Sequence, residues 1–437
     1  MSEKRSKLSR RTFLKQTALT AGAFTIVPRF VLGRGFTAPS DRVTLGFIGL
    51  GKQSGGLARR FTSMTEAQIV AASDLFPAKI KSFQERVAAF YTEHRDVEGY
   101  NVEGYLNYEE MLERDDIDGI LVITPDHWHA IPAIQALKAG KDVYCEKPLS
   151  HTIKEGRAMV EATRKYGRVL QTGSMQRSSK GFLKACELVR NGYIGKVTKV
   201  LVNVGDPAKP YDLPAEPIPA GFNWDRWCGP STVGNYNALL APQTTDTDYW
   251  PQWRNYKEYG GGILCDWGAH MFDIAQWGLG MDHTGPVQFI PPTDRNAKRG
   301  LRMIYDNGVE MVHEDFGRGW AVRFIGSEGT LDVSRSFLDS KPESIVTAEL
   351  KGSDTRLYDT KENHYQDWIQ AMKNRSKPIC DVEIGHRSAS VCNLANIAYW
   401  LGEPLTWDPA KEKFKGNGQA NKLRGKKYRD GFKLPKV

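Results

Sequence analysis

Three side chains in the 437-residue chain could together move a proton and hold an oxyanion: Lys147, Asp266 and His270. Lys147 follows the apolar run Asp142-Val143-Tyr144-Cys145 in a Glu146-Lys147-Pro148 turn. An ammonium there can polarise a hydroxyl or carbonyl oxygen and favour the alkoxide that precedes hydride loss. Asp266 and His270 are four residues apart in Gly260-Gly261-Gly262-Ile263-Leu264-Cys265-Asp266-Trp267-Gly268-Ala269-His270. A helix would place them on one face. His270 can then take a hydroxyl proton as general base, while Asp266 can bind substrate or orient the imidazole. Asp273, one turn on, reads as structural.

Such a set needs a hydride acceptor, and another stretch supplies one. Ile48-Gly49-Leu50-Gly51-Lys52-Gln53-Ser54-Gly55-Gly56 follows a strand-like run from Val43 and opens a helix. Gly49 and Gly51 fit the turn and the close approach of backbone to a pyrophosphate, which free N–H groups at the helix start would hold. The third glycine of the fingerprint falls on Ser54, so Gly55 or Gly56 is expected to serve. Asp74, 23 residues past Gly51, ends the second strand. A carboxylate there accepts hydrogen bonds from a ribose diol and repels a 2′-phosphate, which favours NAD over NADP.

The elements around these residues alternate. Apolar strands at 43–48, 68–73, 119–123, 142–145 and 169–172 are separated by helical stretches, the pattern of a parallel, doubly wound sheet. After residue 174 the rhythm changes to a long alternating strand at 197–204, an irregular stretch rich in Pro, Gly, Trp and Tyr, and further strands between 286 and 350. The expected fold class is α/β: an N-terminal Rossmann sheet over 41–173 and an α+β substrate and oligomerisation domain with a large, mostly antiparallel sheet over 174–408. A basic segment, 409–437, reads as a solvated tail.

The glycine turn, the block Ile123-Thr124-Pro125-Asp126-His127-Trp128-His129, the Glu146-Lys147-Pro148 turn and the Gly260–Asp273 block together resemble the glucose–fructose oxidoreductase/inositol dehydrogenase/rhizopine-catabolism (Gfo/Idh/MocA) family. The resemblance runs from residue 42 to about 408, and the family usually carries Asn where Asp126 stands. It implies that Lys147, Asp266 and His270 are catalytic and that the chain forms a homo-oligomer. Cofactor contacts are expected from Gly49, Gly51, Gln53, Ser54, Asp74, Thr124, Pro125, His129, Glu146, Lys147 and Gln176. Substrate contacts are expected from Lys147, Arg177, Trp253, Arg254, Asp266 and His270. Trp250, Trp253, Arg254 and Tyr256 just before the glycine run suit a carbohydrate, aromatic faces meeting sugar C–H surfaces and an Arg meeting hydroxyls. His127 and His364 are further candidates for the cleft, although each alone is more often a satisfied structural histidine.

Composition narrows the setting. Ser9-Arg10-Arg11-Thr12-Phe13-Leu14-Lys15, followed by a mild apolar run from Ala18 to Val27, has the layout of a twin-arginine export signal over residues 1–34. That route carries folded cargo, so it predicts a periplasmic or otherwise exported protein that passes the twin-arginine translocon with its cofactor held. An uncleaved signal would instead leave an anchor. The net charge of +9 is concentrated at the ends, +7 in residues 1–34 and +8 in 411–437, leaving −6 between them. This argues against a nucleic-acid partner. Six cysteines without a C-x-x-C pair give no zinc or redox motif, and no metal is expected. Cys380 and Cys392 could pair. The expected function is an exported NAD-dependent oxidoreductase acting on a sugar or glycoside. The rivals are a glycosidase working by oxidation, elimination and reduction of one substrate, and a non-catalytic sugar-binding protein.

Overall fold

Apolar runs without alternation, such as Val43–Ile48 and Gly119–Val122, become strands covered on both faces, as a parallel sheet between helical layers demands. The computed structural model describes residues 41–358 and 363–437. The arginine pair and the apolar run after it lie outside the described residues. The first sheet comprises β1 Val43–Ile48, β2 Ala67–Ser73, β3 Glu103–Tyr105, β4 Gly119–Val122, β5 Asp142–Cys145 and β6 Leu170–Thr172. Its order is β3-β2-β1-β4-β5-β6, and every pair is parallel. Helices α1 Lys52–Thr62, α2 Pro77–Arg95, α3 Tyr108–Leu112, α4 Ala130–Lys138 and α5 Ile153–Lys165 connect these strands. The strand order reverses between β1 and β4, so a crevice opens at their C-terminal ends. Of these elements, α2 and β3 escape a sequence reading of periodicity.

The second sheet has nine strands: β7 Val197–Asn203, β8 Gln288–Ile290, β9 Leu301–Ile304, β10 Glu310–His313, β11 Ala321–Gly326, β12 Thr330–Val333, β13 Leu338–Lys341, β14 Leu405–Asp408 and β15 Lys413–Phe414. The order is β13-β12-β11-β7-β10-β9-β8-β14-β15, antiparallel except where β7 meets β10. The remaining helices are α6 Lys180–Arg190, α7 Trp224–Cys228, α8 Gly262–Gly278, α9 Ser344–Thr347, α10 His364–Asn374, α11 Val382–Leu401 and α12 Gly418–Leu423. Helix α8 lies on this sheet, with Leu264, Met271, Phe272 and Trp277 in one core with Val200 and Phe324. That packing fixes the helix face that carries Asp266 and His270.

Two segments depart from the linear division of the sequence. Helix α10 returns to the first domain, where Tyr365, Trp368 and Met372 join Phe47, Phe61 and Tyr144 in one core. Its apolar stripe needs a partner face, and sequence order does not say which sheet provides it. Residues 409–437, expected as a solvated tail, are instead folded onto the body. Tyr428, Phe432, Leu434 and Val437 pack against the first domain's core, and the Phe432 ring lies 5.6 Å from that of Trp128. The basic residues have specific partners: Lys426 pairs with Glu155 at 3.0 Å and Arg429 with Asp225 at 2.7 Å. Interspersed aromatics, invisible to a charge count, anchor the segment. All six cysteines are buried and free, so Cys380 and Cys392 are not bonded to each other. No described helix is long and apolar enough to cross a membrane.

Candidate active site

One cleft of 430 Å³ collects the glycine turn, the ends of β2, β4 and β5, and the exposed face of α8. Its nucleotide end is shaped by backbone. Gly49 has φ +91°, and a Cβ there would lie 2.8 Å from the backbone of Ile123 and Thr124, so only glycine fits. Gly51 caps α1 without a side-chain bond, the first turn carries no acid, and a Cβ at Gly51 would meet nothing. The positive end of the helix is therefore open to an anion. Ser54, expected to touch cofactor, is buried and donates to the Gly51 carbonyl at 2.7 Å, so it braces the turn from behind. Neither Gly55 nor Gly56 replaces the third glycine: Gly55 lies against the end of Arg86, and Gly56 faces open space. A small serine in that position suffices.

Asp74 lines the cleft, its carboxylate accepting from Leu50 N at 2.7 Å and Phe76 N at 3.0 Å. These bonds fix the acid at the end of β2, inside the cleft. Lys79, which the sequence reading missed, stands beside it with Nζ 4.3 Å from the Phe76 ring centre. Burial lowers the Lys79 pKa, and Asp74 opposes that shift. The open helix end, the obligatory glycine and the fixed carboxylate fit a dinucleotide.

At the other end the catalytic candidates converge. Lys147 Nζ donates to the Asp266 carbonyl at 2.9 Å and to its Oδ1 at 2.8 Å, joining the first sheet to α8. Glu146 is not the partner of that ammonium. It is buried, it accepts from Gln53 Nε2 at 3.1 Å and from Lys147 N at 3.2 Å, and burial raises its pKa. Glu146 thus fastens the turn to α1. His129 acts similarly, its ring nitrogens 2.9 Å from the carbonyls of Thr124 and Pro148. It binds two loops of the cleft together, and Thr124 and Pro125 line the cleft itself.

His270 is buried, lines the cleft, and has no hydrogen bond at Nδ1. Burial, then the charges of Lys147 and Arg335, push its pKa well below the usual imidazole value. It is therefore a neutral base at pH 7. Asp266 does not orient it: its Oδ1 also faces Arg254 Nε at 3.5 Å, so the carboxylate is turned to two cations. Burial alone would raise the Asp266 pKa, but Lys147 and Arg254 outweigh it and hold the acid low. Asp126 shows the opposite balance. Burial, then the neighbouring Asp266, push it up to about 8 against the pull of Arg254 and Lys147.

A raised acid is protonated more in the folded than in the unfolded chain, so it costs stability as pH rises from about 4 to about 8. Asp126→Asn removes this cost and supplies the amide usual at this position in the family. The variant is expected to keep its activity and to gain about 1–3 kcal/mol at pH 8, with the gain shrinking toward pH 4. Urea unfolding across that range measures it. A gain independent of pH would contradict the protonated state.

Several expected contacts lie elsewhere. Arg177 is fully buried and grips Asp273 and Asp282 rather than substrate. Gln176 is buried and does not line the cleft; its Oε1 accepts from Arg335 Nε at 2.9 Å, so it touches the site through that arginine. His127 bonds the carbonyls of Trp227 and Tyr259, and His364 faces Tyr144 and Gln171, so both are structural. Tyr256 is buried against Tyr211. Trp250, Trp253 and Arg254 do line the cleft, with the Arg254 guanidinium 4.2 Å from the Trp253 ring centre. Arg335, Trp267 and Trp320 were not foreseen. Arg335 and Trp320 come from loops of the second sheet with no motif around them.

A Rossmann sheet with an open helix end, meeting a Lys–Asp–His cleft built jointly with a second domain, defines a nucleotide-dependent dehydrogenase. The family model described as "Oxidoreductase family, NAD-binding Rossmann fold" matches residues 43–174, and "Oxidoreductase family, C-terminal alpha/beta domain" matches 196–434. The chain belongs to this Gfo/Idh/MocA oxidoreductase family, and NAD is its cofactor. It is 31% identical over 322 residues to the myo-inositol 2-dehydrogenase of Thermotoga maritima, spanning 72% of this chain and 74% of that one. It is 29% identical over 187 residues to a glycosyl hydrolase family 109 protein of Shewanella sp. (strain MR-4), covering 41% of this chain and 39% of the relative. The crystal structure of the WlbA dehydrogenase from Bordetella pertussis, in complex with NADH and UDP-GlcNAcA, superimposes with a TM-score of 0.57 at 18% identity, covering 84% of this chain and 99% of that one. That last likeness is one of fold.

Proposed function

We propose that the protein oxidises a secondary hydroxyl of a sugar or glycoside, and that it is exported with NAD already bound. The observation that carries the chemistry is the convergence of Lys147, held at 2.8 Å by Asp266, and the neutral His270 on the cleft that ends at the glycine turn. Bound NAD supplies the two-electron acceptor. His270 takes the hydroxyl proton as the C–O bond gains double-bond character. The Lys147 ammonium stabilises the alkoxide and then the carbonyl oxygen. Asp266 keeps that ammonium in place, and Trp253 and Arg254 form the wall against the sugar.

Export through the twin-arginine route would leave the enzyme where free NAD is scarce, so the bound cofactor must be recycled in place. Either a second sugar is reduced, or the same substrate is oxidised, undergoes elimination and is reduced again. The second route makes the protein a glycosidase, and the family 109 relatives favour keeping it in view. Incubation with aryl glycosides, with no added acceptor, separates the two. Aglycone release without net NADH accumulation supports the hydrolase. Formation of one equivalent of bound NADH per subunit, with further oxidation only after an added carbonyl sugar reoxidises it, supports the oxidoreductase. Neither signal on any glycoside or free sugar, from protein that carries NAD, would sink the reading.

A further inference from the structure

Arg335 sits in the loop after β12, at the mouth of the cleft. Its Nε is spent on Gln176, and its guanidinium lies 4.4 Å from the Trp267 ring centre. The Trp267 ring is in turn 5.7 Å from that of His270. Among the described residues no carboxylate ion-pairs with Arg335, whereas the other arginine lining the reaction end, Arg254, faces Asp266. The cleft's acids reach Arg335 only at a distance: Asp266 acts on it electrostatically, and Glu146 is bonded to Gln53 and to Lys147 N. The charge of Asp266 is shared between Lys147 and Arg254, and Asp126 is buried beside it. The reaction end therefore carries a surplus cation, fixed in direction by a hydrogen bond and an aromatic face, with both terminal nitrogens unspent.

Arg335 is exposed to solvent in the open cleft, and a neutral sugar seated there would displace water from its terminal N–H groups without supplying an ionic partner. A carboxylate accepts its two terminal N–H groups side by side, the geometry for which arginine is best suited. Trp267 and Trp320, with ring centres 4.1 Å apart, offer an apolar wall next to it for the C–H face of a ring. We propose that the substrate is a sugar acid, a free or glycosidically linked uronate, whose carboxylate is bound by Arg335. This rests on the sugar-oxidoreductase reading above and names the substrate class of the same site.

The test uses the NAD-loaded protein and matched pairs of 4-nitrophenyl hexosides and hexuronides of gluco, galacto and manno configuration, with the hexose 6-phosphates as a third arm. NADH absorbance and nitrophenol release report turnover, and quenching of tryptophan fluorescence reports binding. In at least one configuration the uronide is expected to exceed the neutral partner in kcat/KM by about 30-fold, the equivalent of one charge-assisted hydrogen bond. Arg335→Gln should bring that ratio close to one, Arg335→Lys should restore part of it, and added salt should lower it. Neutral sugars turned over as well as their acids, a preference for the phosphates, or an equal loss on both partners in Arg335→Gln would each overturn the assignment. So would the absence of both binding and turnover with every uronide. Uronide binding that depends on Arg335 but yields neither NADH nor nitrophenol would uphold the carboxylate site and overturn the redox reading instead.

Discussion

Replacing His270 by Ala is expected to lower kcat by about 10²–10⁴-fold while leaving NAD bound, because it deletes a neutral base of the cleft whose Nδ1 is free, whereas both ring nitrogens of His129 are bonded to carbonyls. The side chain is buried, so the loss must be separated from unfolding. The Nδ1 atom makes no hydrogen bond, however, and removal of the ring leaves no charged group without its partner. The protein should therefore still fold, with NAD recovered by mass spectrometry from the denatured variant in the same amount as from the parent. The pH profile carries a second sign. Because burial and the charge of Lys147 depress the His270 pKa, the base is competent from well below pH 6.5 upward. The rising limb of kcat/KM should lie below that pH and should vanish in the variant. The same depression costs folding stability as pH falls below about 6.5, where the unfolded histidine binds a proton and the folded one does not. The variant should lose less stability on acidification than the parent. Activity within a factor of about three of the parent would remove His270 from the mechanism.

The largest effect on stability is expected at Arg177. Its Nε and Nη2 reach the two oxygens of Asp273 at 2.8 Å, and Nη2 and Nη1 reach those of Asp282 at 2.7 and 3.2 Å. Both Arg177 and Asp273 are fully buried, and Ser388 donates to Asp273 as well. Arg177→Met fills much of the volume but leaves two carboxylates close together without their cation. Breaking a buried pair from one side costs about 3–5 kcal/mol, and the denaturation midpoint should fall accordingly. Arg177→Lys should recover only part of this, since one ammonium cannot grip two carboxylates bidentately. The consequence reaches the site, because Arg177 adjoins Met175, which lines the cleft, and Gln176, which holds Arg335. A loss under about 1 kcal/mol would show that the pair is not what holds this loop.

Asp273 illustrates how far spacing alone could be read. One turn beyond His270 on α8, it faces the core rather than the cleft, as its position predicts, and its partner Arg177 reads in the sequence as a substrate ligand. A buried arginine and a binding arginine look the same in one sequence. What separates them is whether a carboxylate reaches them across the fold, here from 96 residues away. The same uncertainty covered His127, His364 and Tyr256. Each belongs to a type that serves catalysis or core, and each was resolved by carbonyls and rings contributed by distant segments.

The local chemistry was set by the chain alone. The glycine turn after an apolar strand, the acid closing the next one, the Lys147 turn and the four-residue spacing of Asp266 and His270 follow from short-range geometry. Backbone conformation and helical period act within a few residues, so these features can be read in line. Only the tertiary structure decided that Asp266 turns to Lys147 rather than to His270, that the basic C-terminal segment is anchored by its aromatics, and that Arg335 is left without an acid at the mouth of the cleft. Those outcomes depend on which distant charges and faces meet, and on burial, which fixes whether a charge must be paired or neutralised.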